Sequence, residues 1–407
     1  MRLLHTTSLQ VEEFPDSVRR KYAILSHTWG HNEVSFEEMA RHRRAPFTTS
    51  KPGFKKIKRC CDVARRHGFE HVWIDTCCID KRNSAELSEA LNSMYRYYEN
   101  ADVCYIYLAD VRSTPDRVEL LARIQRSEWN SRGWTLQELL ASNKRRFLAG
   151  DWSEIHDQEE LIGAISTRTG IAQRVLDDRR LISTVCLAER MSWVSRRHTT
   201  RPEDLAYCLL GIFNISMPIL YGEGLQKAFW RLQMEIMQAS FDQTLFAWRA
   251  PYAGSGLLAN SPRVFQDTPP LRLCSPGYLT PYAMTNVGLT VRVIDITQKI
   301  FGGKTPADGS FLALIQCEGK LNGAWMGLAV YLQPVSGISI DITGIGNKRR
   351  ACRRVQCENW YWVENKALRN APFEDIVVLQ DEHYRLAQHT FQIAQLEESD
   401  LVMQIVT

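Results

Sequence analysis

Through the first 150 residues, short apolar runs alternate with longer stretches of helical period, the pattern of strands joined by crossover helices. Tyr22 to Ser26, His71 to Asp75, Val103 to Asp110 and Arg145 to Ala149 are predicted strands, each too short to stand as an isolated helix. Lys55 to His67 is predicted helical and closes at Gly68, a favourable residue just past a helix end. A second helix is predicted after Asn83, with Glu86 at the spacing of a capping box. Leu87, Leu91, Met94, Tyr95 and Tyr98 give it one apolar stripe. A third, shorter helix is expected over Gly133 to Ala141. The sum is an α/β domain with a parallel sheet over residues 1–150.

From Asp157 to about Ser240 the period stays helical, with Leu225, Phe229, Leu232 and Ile236 on one face, so residues 151–250 read as a helical extension. Six prolines fall between Pro251 and Pro281, which predicts a boundary or long connection there. Beyond it Leu289, Val291 and Val293 alternate with polar neighbours, and Phe311 to Cys317, Met326 to Leu332 and Val355 to Val363 add β-type runs. Residues 251–407 are therefore expected to be a mostly antiparallel β region.

The composition narrows the function only a little. With 407 residues, 44 % hydrophobic and 24 % charged, the chain is an ordinary globular protein and not a disordered or low-complexity one. A formal charge of +4 is too small to argue for nucleic acid. The basic run Arg41, Arg43, Arg44, Lys51, Lys55, Lys56, Lys58, Arg59, Arg65 and Arg66 reads as a solvated face or as a phosphate track, with the solvated face preferred. The eleven cysteines include the adjacent pairs Cys60-Cys61 and Cys77-Cys78 in apolar surroundings, which suits a reducing compartment. The first residues lack the apolar core of a targeting peptide, so a cytoplasmic location is expected, without a membrane span. No metal spacing is compelling. Gly303-Lys304-Thr305 lacks the first glycine of a phosphate loop, Gln298 standing in its place.

In a parallel sheet, ligands collect beyond the carboxyl ends of the strands. Ser26, His27, Thr28, Trp29 and Gly30 follow the first strand, Asp75 to Arg82 the second, and Asp110 the third. On the third helix, at about 100° per residue, Leu136, Leu139 and Leu140 share one sector while Trp134 and Glu138 stand together on the other. An indole beside a carboxylate can line a pocket; equally, Glu138 can be a solvated helix residue with Trp134 under a loop. Asp75 and Asp110 read as capping or functional carboxylates, and His27 as a structural imidazole.

Three ordered blocks, Tyr22 to Gly30 (YAILSHTWG), Val72 to Asn83 (VWIDTCCIDKRN) and Arg132 to Ala141 (RGWTLQELLA), resemble the HET (heterokaryon incompatibility) domain of filamentous fungi. Arg201 to Glu223 resembles the helical segment that often follows it. The resemblance implies an effector of non-self recognition and programmed cell death, working with other incompatibility proteins or by self-association. Larger relatives attach nucleotide-binding and repeat domains. Neither a phosphate loop nor a repeat is found in these residues, so sensing is expected to fall to the C-terminal portion or to a partner.

The HET domain is in turn similar to the TIR domain, a flavodoxin-like parallel sheet in which several members cleave NAD at the nicotinamide-ribose bond. Trp134-Thr135-Leu136-Gln137-Glu138-Leu139 is similar to the Trp-Cys-Leu-x-Glu-Leu stretch of plant TIR domains, with Thr135 in place of the cysteine. That resemblance puts Glu138 on the catalytic glutamate, with NAD as substrate and no cofactor. Around it, Trp134 would border the nicotinamide or ribose, Ser26 and Trp29 would form another wall, Asp75 would line the site and Arg82 would attract the diphosphate. The rival reading is a non-catalytic interaction module that signals by assembly.

Overall fold

The computed structural model describes residues 1–15, 20–41, 46–251, 256–273, 280–302, 304, 306–341, 348–364 and 373–380. Arg43 and Arg44 of the basic run, Gly303 and Thr305 of the loop, and part of the proline-rich connection lie outside the described residues. The chain packs as two compact units, one of Met1–Thr184 with Arg196–Ala228, the other of Val185–Ser195 with the chain from Phe229 onward.

The first unit is built on a seven-stranded sheet of β1 (Arg2–His5), β2 (Val11–Glu13), β3 (Ala23–His27), β4 (His71–Trp73), β5 (Val103–Tyr107), β6 (Arg145–Leu148) and β7 (Glu154–Ile155), in spatial order β2-β1-β4-β3-β5-β6-β7. The four middle strands are parallel, and they are the four expected from the apolar runs. They read as continuous apolar stretches because both faces of the sheet are covered; every residue of β3 and β4 is buried. The three outer strands pair antiparallel, and their two to four residues are too few to show a period.

Helices make the crossovers. Between β3 and β4 lie α1 (Phe36–Arg41), α2 (Pro46–Ser50) and α3 (Pro52–Arg66); between β4 and β5, α4 (Asp75–Cys78) and α5 (Ser84–Asn100); between β5 and β6, α6 (Arg117–Arg126) and α7 (Thr135–Ala141). Helix α3 ends where expected, Gly68 taking a positive φ of 81°. At the start of α5, Asn83 Oδ1 accepts from the Ala85 and Glu86 amides at 3.1 and 3.2 Å. Glu86 does not return the favour. Its carboxylate accepts from the Asp80 amide and pairs with Arg2, so the expected capping box is a one-sided cap.

Part of the basic run is paired with nearby acids: Arg41 with Glu37, Lys51 with Glu38, Lys56 with Glu33 and Arg65 with Asp62. The chain runs from β3 outward to β4 and then returns to β5 on the other side of β3. The order therefore reverses between β3 and β5, and the carboxyl ends of those strands border a crevice.

Downstream helices are α8 (Gln158–Thr169), α9 (Gln173–Asp177), α10 (Leu187–Ser195), α11 (Asp204–Tyr207), α12 (Leu210–Phe213) and α13 (Leu225–Ala239). The second unit holds an eight-stranded sheet formed from strands between Leu271 and Val378. It is antiparallel apart from Arg350–Cys352 beside Ile376–Val378. Leu289, Val291 and Val293 are buried as their alternation predicts. The run expected over Val355 to Val363 is a strand only at Tyr361–Val363, and the pairing strand is instead Lys348–Arg354. Its last residue, Arg354, is buried and donates from its two terminal nitrogens to the Phe246 and Trp248 carbonyls at 3.0 and 2.6 Å, which offsets part of the cost of burying the guanidinium, while Nε is buried without a hydrogen-bond partner.

Candidate active site

Helix α7 enters the first unit through a tight approach. A Cβ on Gly133 would stand 2.4 Å from Thr199 Cγ2, so only glycine lets residues 131–133 bridge to His198 by paired backbone hydrogen bonds. The bridge holds the 198–204 segment against the start of α7. With α5, β3 and α12 also packed on it, all seven residues of α7 are buried. The solvated alternative for Glu138 is thereby excluded, since the residue is only 6 % exposed.

The carboxyl of Glu138 accepts a hydrogen bond from the Ser26 hydroxyl at the end of β3. Ser26 in turn accepts from the Trp129 indole N–H at 2.7 Å. The Tyr98 hydroxyl, whose own hydrogen goes to the Leu25 carbonyl at 3.0 Å, is a further hydrogen-bond partner of the same carboxyl. Burial pushes the Glu138 carboxyl up to about 8, and the nearby Asp75 charge adds to this, against the opposing pull of Ser26, Tyr98 and Arg197. A neutral acid fits these partners, accepting from Ser26 and donating to Tyr98.

Asp75, just after β4, behaves oppositely. Burial works against its charge, but the Lys81 ammonium and the donors of His27 and Trp29 outweigh it and hold the carboxyl well below its usual range. His27 Nε2 lies 3.0 Å from Oδ1 and Trp29 Nε1 donates to Oδ2 at 2.7 Å. His27 Nδ1 has two neighbours, Lys56 Nζ at 2.8 Å and the Thr28 carbonyl at 3.1 Å, while Nε2 faces Asp75. Lys81 lies over the Trp29 ring, 3.6 Å from its centroid.

Glu138, Asp75, His27, Trp29 and Lys81 border one cleft of about 210 Å³, which takes in the carboxyl end of β3 and the segment that follows β4. Glu138 and Thr135 of α7 and Leu87, Leu91 and Met94 of α5 line it. Trp29, Trp134 and Tyr221 give it aromatic sides, and His27, Asp75 and Lys81 stand together at one flank. Thr200, Arg201 and Asp204 reach in from beyond α7, beside Arg132. Asp204 Oδ1 accepts from the Tyr221 hydroxyl at 2.9 Å, and the Trp134 indole also donates to this carboxyl. Burial raises it above the ordinary aspartate range.

Of the residues singled out from the sequence, Glu138, Trp134, Trp29 and Asp75 line this cleft. Ser26 does not form a wall; it is fully buried behind Glu138 and acts on the carboxyl. Arg82 is not brought in: its side chain is 77 % exposed and pairs with Glu37. Asp110 accepts from the Ser127 hydroxyl and the Glu128 amide and serves as a local cap. Sequence reasoning did not select Arg132, Lys81, Arg201, Asp204 or Tyr221. Only the resemblance of the 201–223 segment pointed near the last three. A larger groove, about 820 Å³, lies by the amino ends of β5 and β6, beside Lys144, Arg145 and Arg146. It is the wrong edge of the sheet for convergent loops.

Ser26→Ala tests the local logic without any assumption about activity. Removing the donor should raise the Glu138 pKa further, read by carboxyl-carbon NMR titration. It should also cost about 1–3 kcal/mol in denaturant unfolding, because the Trp129 N–H is left buried without its acceptor. An unmoved titration would contradict the hydrogen-bond assignment.

Residues 22–121 match the family model described as heterokaryon incompatibility protein (HET), so the chain carries a HET domain over that stretch, from β3 into α6. A vegetative incompatibility protein of Podospora anserina, HET-E-1, is 42 % identical over 231 residues, which covers 55 % of this chain and 17 % of that protein. The chain thus spans less than a fifth of that relative. Residues 227–276 match a domain of unknown function, DUF8212. No solved structure matches. Trp134 and Glu138 lie beyond the matched HET segment, so what they do rests on the geometry above.

Proposed function

We propose that this chain is an effector of fungal vegetative incompatibility whose HET domain cleaves NAD at the nicotinamide-ribose bond, with Glu138 as the catalytic residue. The observation that carries the reading is a buried, proton-holding glutamate opening into an aromatic-walled cleft at the carboxyl ends of parallel strands. The order of the four parallel strands, 2-1-3-4 by sequence, supports a flavodoxin-like and hence TIR-like domain. The relative's description supports the incompatibility role.

In this reading the C1′–N1 bond breaks with its electron pair leaving on the nicotinamide nitrogen, and water adds to C1′ and loses a proton. The ribose passes through an oxocarbenium-like state, which a carboxylate alongside stabilises. The cationic nicotinamide ring entering the cleft favours ionisation of Glu138, since an opposite charge nearby lowers a carboxyl pKa. Trp134 and Trp29 flank the ring, and Asp75 holds Trp29 and His27 in place. At about 210 Å³ the cleft is smaller than roughly 300–1,000 Å³ ligand sites, so it takes the nicotinamide riboside end and leaves the adenylate outside.

We assign residues 1–150 to the HET α/β domain, 151–250 to the helical extension and 251–407 to a β-rich region, all acting in the cytoplasm with other incompatibility proteins or further copies as partners. Incubating concentrated full-length protein with NAD should release nicotinamide and ADP-ribose. Failure to release either, with the protein folded and clustered on a multivalent support, leaves the assembly-module reading in its place.

A further inference from the structure

The cleft has a cationic end that the proposed chemistry at Glu138 does not use. Arg132 and Arg201 line it from two separate segments, and Thr200 ties them: the Arg132 guanidinium stands 3.3 and 3.4 Å from the Thr200 hydroxyl, and Arg201 is the next residue. Arg201 stands over Tyr221, its Cζ 3.8 Å from the ring centroid. Among the described residues neither arginine has a carboxylate within 4.0 Å. The neighbouring acids are occupied elsewhere, Glu203 by the Gly222 and Gly224 amides and Asp204 by Tyr221. By contrast the other cation in the cleft, Lys81, already faces Asp75 at 4.0 Å.

Two guanidiniums that no carboxylate meets at ion-pair distance, Glu203 and Asp204 acting on Arg201 only from further off, share the cleft lining with aromatic rings and a carboxyl acid, which suits a ligand with an anionic head and a ring tail. Guanidinium donors suit phosphate oxygens, which they grip in bidentate fashion. We infer that Arg132 and Arg201 form a phosphate subsite, so that the cleft selects a 5′-phosphorylated riboside over the same riboside without phosphate. This rests on the reading of Glu138 as the group beside the ribose, and it assigns to this pair the role that Arg82, outside the cleft lining and paired with Glu37, cannot take.

Binding by the full-length Glu138→Gln protein separates recognition from turnover. Calorimetric titrations would use nicotinamide mononucleotide, nicotinamide riboside, adenosine monophosphate and inorganic diphosphate. The mononucleotide should bind at least about tenfold more tightly than the riboside, the gain expected of a charge-assisted pair. Adding R132Q and R201Q should erase that difference and leave the riboside affinity unchanged, while R132K and R201K should restore part of it. Equal affinities for mononucleotide and riboside, or equal losses for both in the double arginine variant, would overturn the subsite while leaving the NAD reading intact. Arginine-dependent binding of diphosphate and adenosine monophosphate without any nicotinamide riboside binding would uphold the subsite and remove the NAD reading. Absence of binding by every phosphate-bearing probe overturns the inference outright.

Discussion

With the proposed NAD cleavage as the source of cell death, Glu138→Gln is expected to lower NAD consumption by at least about a hundredfold and to abolish toxicity in cells, with the protein folded and somewhat more stable near pH 8. The substitution is close to isosteric with the neutral acid. A glutamine can accept from Ser26 through its oxygen and donate to Tyr98 through its amide, so both hydrogen bonds of the resting side chain survive. What it cannot do is become an anion beside the ribose. Loss of activity in a variant whose unfolding midpoint is unchanged or raised therefore isolates the charge from the packing. Product analysis on purified protein and a growth assay in cells expressing each form would read the two effects. If the variant still consumes NAD and still kills, the enzymatic reading falls, and signalling by assembly becomes the explanation for toxicity.

The parts of this site that sequence exposed are those whose signals are local. The strands β3 to β6 announce themselves because a parallel sheet covered on both faces needs unbroken apolar runs. The pairing of Trp134 with Glu138 follows from helix spacing, and its meaning from the resemblance. The burial of Glu138 does not follow. The leucines of α7 mark one apolar side, yet the opposite side is covered as well, by segments about 60 to 75 residues further along that carry no complementary period. Arg201, Asp204 and Tyr221 reach the cleft through that same covering segment, which is why strand-end reasoning passed over them. Arg82 fails for the converse reason: its position after β4 looked right, but Glu37 from the preceding crossover takes its charge at the surface. In the second unit, Lys348–Arg354 escaped notice because five of its seven residues are basic, and the pattern of a strand was read in the less charged stretch that follows.

The largest solution effect after loss of the acid is expected from pH. Below about 8 the free protein holds Glu138 protonated, because burial, and then the Asp75 charge, oppose ionisation. If the carboxylate is the working form, kcat/KM for NAD cleavage should rise close to tenfold per pH unit up to about pH 8 and level off above it, since this ratio reports the free enzyme. Asp75 adds no limb over this range, being held ionised by Lys81, His27 and Trp29 against its burial. Stability should move the other way. Between the unfolded glutamate value near 4.5 and the folded value near 8, the native state binds the extra proton, so the stabilisation is complete below about pH 4.5 and is lost as pH rises towards 8. The loss is on the order of a few kcal/mol, and Glu138→Gln, which has no proton to give up, should gain on the wild type by that amount over the same window. Denaturant unfolding of both proteins at pH 5.5 and 8.5 measures it. An activity limb without this stability difference would mean that some other group controls the rate. The two together identify the buried acid as the group that pays in stability for being available to react.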